Sequence, residues 1–186
     1  MVVDYLGDQA IERDMAVACF YFDFASREAQ TPTNMLGSLL KQLLGGLGVI
    51  PAEIVRKFRG QKKVIGGRRL QLPDIVKLCA AITSFQRTFI CVDALDECVP
   101  RHRLEVLDAF GQILQNSPST RMFITGRSHI RGVVERGLGE RTISMSICNG
   151  ICLMFSLLYL PDVGCFLFRF YNSSAALFTL YFPYLL

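Results

Sequence analysis

Residues 88–98, Thr-Phe-Ile-Cys-Val-Asp-Ala-Leu-Asp-Glu-Cys, constrain this chain more than any other stretch. Phe89, Ile90, Cys91 and Val92 form a short uncharged run of β-prone residues, the pattern of a parallel strand covered on both faces. Asp93 closes the run, and Asp96 and Glu97 follow on the next loop. In an open α/β sheet, ligands collect in the crevice beyond the carboxyl ends of the strands. A carboxylate at that rim is placed to hold Mg²⁺, directly or through water. Further acids beside it can orient or deprotonate an attacking water at a triphosphate, although their charges repel unless a cation sits among them.

The rest of the chain alternates helical and strand patterns. Residues 1–13 read as the end of a helix, and residues 16–24, AVACFYFDF, as an aromatic-rich strand. Thr31-Pro32 offers an N-cap followed by proline in the first turn. Met35, Leu36, Leu39, Leu40, Leu43 and Leu44 then repeat on one helical face until Gly45-Gly46. A short helix is expected from Pro51 with Ile54, Val55 and Phe58 on one side, and another from Pro73 to Phe85. Beyond the acidic loop, residues 101–115 form an amphipathic helix with an expected buried stripe of Leu104, Leu107, Phe110, Ile113 and Leu114. Residues 121–125 read as a strand, residues 129–136 as a helix and residues 142–147 as a last strand. Strands separated by helical crossovers imply right-handed βαβ units, hence an α/β fold with a mostly parallel sheet flanked by helices.

Arg127 lies just beyond the expected strand at 121–125, on the same sheet edge as Asp93. From there a guanidinium could reach a terminal phosphate or the Asp96/Glu97 pair. The competing reading is an ordinary surface arginine, and the shared edge favours function. No Gly-Lys-Ser/Thr string of the kind that cradles phosphates occurs in the 186 residues. Gly45-Gly46-Leu47-Gly48 has no lysine or hydroxyl partner, and Gly66-Gly67-Arg68-Arg69 precedes no strong helix.

Composition excludes several classes. With 51% hydrophobic and 19% charged residues the chain is not disordered, and its length suits one substantial core. A formal charge of +4 is too small to indicate a nucleic-acid partner. The acid-free basic stretch Arg56, Lys57, Arg59, Lys62, Lys63, Arg68 and Arg69 could touch phosphates or anionic lipid. With only Phe58 for stacking, it reads better as a solvated loop between helices. Seven cysteines make an odd set without a CxxC pair, and Cys148 with Cys152 has no nearby histidine to complete a zinc site. Free thiols in a reducing, cytoplasmic setting are expected. Asp4, Asp8, Glu12 and Asp14 interrupt any secretory h-region. His102 and His129 sit near helix starts with no nucleophile placed beside them, which gives a Cys-His or Ser-His hydrolase little support.

Three stretches, FYFDFASREAQTPTNMLGSLLKQLL, FICVDALDEC and RMFITGRSHIRGVVERGL, together resemble the NACHT module of STAND-class P-loop NTPases. The form they resemble is the nephrocystin-like N-terminal domain found ahead of ankyrin or similar repeats in many fungal NLR-like proteins. The resemblance covers residues 1–147. It implies that Asp93 belongs to a Walker B motif and binds Mg²⁺, that Asp96 and Glu97 serve water activation, and that Arg127 senses the terminal phosphate of ATP or GTP. It also implies that the chain begins just after the phosphate loop, so that a central strand and the Walker A motif are absent and residues 142–147 lose their usual neighbour. The expected molecule is a partial P-loop NTPase-type sheet over residues 1–147 with an apolar tail over 148–186, in which Asp162 and Arg169 are the only charges. A tail arising from an altered reading frame or retained intron is favoured over a membrane anchor, because Pro161, Arg169 and Pro183 interrupt any span. Two functions are expected of such a chain. One is a fragment of a nucleotide-binding signalling switch with little ATPase activity alone. The other is a non-enzymatic module that pairs with intact relatives through a sheet edge left open by the missing strand.

Overall fold

A computed structural model describes Gly7 and residues 15–50, 52, 54–56, 70–139, 142–147, 151–156, 168–170 and 178–180. Apart from Gly7, which is helical, the expected helix at 1–13 falls outside the described residues, as does most of the basic stretch. Of the short helix after Pro51, Ala52 and residues 54–56 are helical, with Ile54 buried.

In chain order the elements are β1 (Met15–Tyr21), α1 (Pro32–Gly45), α2 (Leu72–Thr83), β2 (Arg87–Asp93), α3 (Pro100–Asn116), β3 (Thr120–Arg127), α4 (Arg131–Leu138), β4 (Thr142–Ile147) and β5 (Ile151–Ser156). Phe168–Phe170 and Phe178–Leu180 pair as a separate two-stranded antiparallel ribbon. Strands β1, β2 and β3 are parallel, with β2 between the other two; Cys91 stands opposite Cys19 on one side and Phe123 on the other. The expected α/β fold, a parallel sheet flanked by helices, is present.

The sheet departs from expectation on its far side. Its order is β1-β2-β3-β5-β4, and β5 runs antiparallel to both neighbours, with Ile124 opposite Met154 and Ser144 opposite the same residue. The strand at 142–147 therefore exists, but it does not lie against β3 or against an open gap. A segment of the apolar tail fills the place beside β3, so the edge expected to be exposed there is paired. The reason is chemical: an unpaired strand edge presents a row of unsatisfied N–H and C=O groups, and an apolar β-prone segment can satisfy them in either direction.

The main core lies on one face of the parallel strands. Ala16 and Ala18 of β1, Ile90 and Val92 of β2, and Met122 and Ile124 of β3 meet Leu36, Leu39 and Leu43 of α1, Ile75 and Ile82 of α2, and Phe110 and Ile113 of α3. The period-2 alternation of the strands and the 3.6-residue period of the helices deliver these faces to each other. Thr31 caps α1 as its composition foretells, its hydroxyl accepting from the Asn34 N–H at 3.3 Å. The stripe on α3 is shifted from expectation: Leu104 is 63% exposed, while Val106 is buried beside Leu107 and Phe110. Leu104 is the fifth residue of α3 and is left uncovered, so periodicity alone assigned it wrongly. On the opposite sheet face Phe89 and Cys91 are buried with Met15, Val17, Cys19 and Phe123 around them.

Helix α4 closes on α3 at Gly137, where an added Cβ would stand 2.9 Å from the Leu107 Cβ. This contact holds the segment after Arg127 against the body of the domain.

Candidate functional site

The carboxyl ends of β2 and β3 form the site. Because β2 is buried from Thr88 to Val92 and emerges at its last residue, Asp93 is delivered exposed at the rim. The chain then turns at Ala94, which adopts the left-handed conformation (φ 54°, ψ 45°), the one non-glycine residue with positive φ among the described residues. Such a conformation costs an L-residue of order 1 kcal/mol and persists only where its surroundings hold it. Here the Ala94 N–H donates to the Thr125 hydroxyl at 2.9 Å, and that hydroxyl donates in turn to the Asp93 Oδ1. One threonine side chain thus ties Asp93 and the strained turn to the neighbouring strand.

Leu95–Glu97 form a single 3₁₀ turn with Leu95 buried beneath it. From α3, one Nη2 of Arg103 reaches back to donate to the carbonyls of Asp96 and Cys98, both at 2.8 Å, and fastens the turn from below. The turn presents Asp96 and Glu97 toward β3. Asp96 Oδ1 accepts the backbone N–H of Arg127 at 3.1 Å, and its Oδ2 lies 3.3 Å from the Arg127 Nε. Glu97 Oε1 is 3.5 Å from the Arg127 Nη2. The three side chains differ in burial: Asp96 is 7% exposed, Glu97 23% and Arg127 68%. At Gly126 an added Cβ would stand 2.6 Å from the Ile130 Cδ1, while Asp96 Oδ1 at 3.4 Å would be in ordinary contact.

All four residues singled out in the sequence, Asp93, Asp96, Glu97 and Arg127, therefore sit on one rim, and Arg127 touches both acids of the turn. Strand β3 runs to Arg127 itself, two residues further than the sequence pattern indicates. Two contributors were not singled out. Thr125 has a signal in the sequence, because period 2 places it on the same strand face as Arg127. Arg103 has none, because its partners are carbonyl oxygens.

The rim suits part of a magnesium site. Mg²⁺ commonly takes one or two carboxylates and fills the remaining positions with water and substrate phosphates, and Asp93 offers one exposed carboxylate of that kind. Among the described residues no three His, Cys, Asp or Glu side chains converge into a metal cage. Cys19, Cys79, Cys91 and Cys98 are free thiols. Burial pushes Cys79 up to about 12 and, with a smaller contribution from neighbouring Cys19, Cys91 also up to about 12. Cys98 is raised to about 11 by burial, opposed in part by Arg103. Thiols held protonated in this way are poor nucleophiles at neutral pH.

The sequence model of the family described as Nephrocystin 3, N-terminal, matches residues 1–127, which includes the acidic turn and ends on Arg127. The chain belongs to the nephrocystin 3 N-terminal family. The match spans β1 through β3 and stops before α4, so the family's signature coincides with the parallel part of the sheet. No curated protein and no solved structure matches the chain. Among the described residues no helix is long and apolar enough to cross a membrane.

Proposed function

We propose that this nephrocystin 3 N-terminal domain carries the metal and sensor half of a Mg²⁺–ATP (or GTP) site in a NACHT-type signalling switch of the STAND class. The observation that carries the reading is the union of Asp93, Thr125, Asp96, Glu97 and Arg127 at the carboxyl ends of two adjacent parallel strands, where α/β sheets bind ligands. Asp93, steadied by Thr125, is the Walker B acid that holds the metal. Arg127 offers guanidinium donors to a terminal phosphate. The acidic 3₁₀ turn stands beside the path of a water approaching that phosphate. When bound, the magnesium nucleotide supplies the reactive phosphoanhydride and the charge that separates the closed from the open state of such a switch.

Hydrolysis by these 186 residues alone is expected to be slow. Phosphoryl transfer depends mostly on positioning, and the sequence contains no glycine-lysine-hydroxyl loop to supply it. The test is calorimetric titration of the purified chain with magnesium ATP and magnesium GTP, repeated on Asp93→Ala. Saturable binding that weakens at least roughly tenfold in the variant supports the reading, as expected for loss of a charge-assisted contact. No binding to either nucleotide, together with co-purification of an intact relative, would instead favour a cytoplasmic interaction module.

A further inference from the structure

The two acids of the turn are not equivalent. Asp96 uses both carboxylate oxygens on one partner, Oδ1 on the Arg127 backbone N–H and Oδ2 on the Arg127 Nε, and its side chain is only 7% exposed. An acid that is to take a proton from water must present a free lone pair to solvent at hydrogen-bond distance. Asp96 instead engages the arginine with one contact from each oxygen, and its low exposure keeps the remaining lone pairs from solvent. Glu97 meets the same arginine by a single contact at 3.5 Å and is three times as exposed, 23% against 7%. The surroundings are shaped around the Asp96 contact. Arg103 clamps the Asp96 backbone carbonyl at 2.8 Å.

We propose that Asp96 is a positioning residue, locking the backbone and Nε of Arg127 to the rim, and that Glu97 is the one acid of the pair open to solvent and water. The lock leaves the terminal nitrogens of Arg127 pointing outward, so an anionic ligand competes with Glu97 for them and not with Asp96. The consequence for a nucleotide rests on the site reading above, whereas the lock itself does not.

Two measurements separate these possibilities. In the ligand-free chain, hydrogen exchange of the Arg127 backbone amide and Nε–H is followed by NMR in the parent, Asp96→Ala, Asp96→Asn and Glu97→Gln, with circular dichroism as the check on folding. Asp96→Ala is expected to speed exchange at both positions by at least roughly tenfold. Asp96→Asn keeps an oxygen acceptor but no charge, so it should hold the amide and release Nε–H, an outcome that general loosening of the fold would not produce. Glu97→Gln should change neither. Equal exchange at Arg127 in the parent and Asp96→Asn at both positions, or release by Glu97→Gln, would overturn the lock, and Asp96→Asn decides the matter should Asp96→Ala fail to fold.

The second measurement is a double-mutant cycle with magnesium ATP as the probe. If Asp96 acts through Arg127, the loss in affinity for Asp96→Asn with Arg127→Ala should equal that for Arg127→Ala alone. Glu97→Gln should bind as tightly as the parent or more tightly, having surrendered its competing contact. Additive losses would overturn the proposal. Absence of any binding by the parent would sink the nucleotide reading and leave the exchange experiment to decide the role of Asp96.

Discussion

Ala94 shows how a single residue can carry the geometry of a site. Its left-handed backbone aims the Ala94 N–H at Thr125 and turns the chain so that Asp96 faces Arg127. Glycine would relieve a cost of about 1–2 kcal/mol but would lose about 0.5–1 kcal/mol more entropy on folding. Ala94→Gly is therefore expected to leave the urea midpoint unchanged or slightly raised. Ala94→Val, β-branched in a left-handed turn, should lower stability by roughly 1–3 kcal/mol. The buried thiols make a second prediction at this scale. Below the ordinary thiol value of 9.0, cysteines are neutral in both the folded and unfolded chain. Above it the unfolded chain releases thiol protons, while folded Cys79 and Cys91 keep theirs until about 12. The unfolded state then binds fewer protons than the folded one, so stability must fall as pH rises through that window. Thermal melts from about pH 8 to about pH 11 should show the decline, and Cys79→Ala with Cys91→Ala should flatten it.

At the scale of elements, β1 shows how the edge of the sheet is managed. Its outer side would leave backbone groups unpaired, but the Gln42 side chain acts as a substitute strand: its Oε1 accepts from the Cys19 N–H at 2.9 Å and its Nε2 donates to the Cys19 carbonyl at 2.8 Å. Gln30 repeats the device at the end of the strand, accepting from the Asp23 N–H at 3.0 Å. An edge satisfied in this way is less available to another chain. Gln42→Leu should cost about 1–3 kcal/mol through the two groups it orphans, and should raise light scattering in concentrated solution. The junction of α3 with α4 supplies a contrasting case. In an isolated helix, Gly→Ala gains about 1 kcal/mol, but at Gly137 the new methyl would meet Leu107 Cβ at 2.9 Å. Gly137→Ala is expected to destabilise the protein, with a lower melting temperature as the readout; Leu107→Ala, which keeps its Cβ, should not rescue it.

At the scale of the whole molecule, the unusual feature is the tail strand inside the sheet. β5 bonds to β3 along Met122–Arg127 and to β4 along its length, so the strand that ends in Arg127 relies on the tail for its outer partner. Ending the chain after Ile147 should therefore expose the β3 edge, speed amide exchange along that strand and promote aggregation. An unchanged exchange pattern would show that β3 is held by β2 alone. The sequence foretold much of this architecture. The buried character of residues 89–92, the cap at Thr31 and the apolar face of α1 are all local patterns, and each appears where it was expected. The mistaken assignment of Leu104 to the core shows the limit of that kind of reading, since a periodic position is buried only where a neighbouring element covers it.

The amino-acid order by itself determined the three parallel strands with the helices between them, the family and the identity of the four rim residues, because helix period, strand run and capping are properties of neighbouring residues. Tertiary structure decided who holds whom: Thr125 on Asp93, Asp96 on an arginine 31 positions away, and a reversed tail strand beside β3. Such pairings depend on register and on the competition of distant groups for the same donors and acceptors, and no local pattern encodes the outcome of that competition.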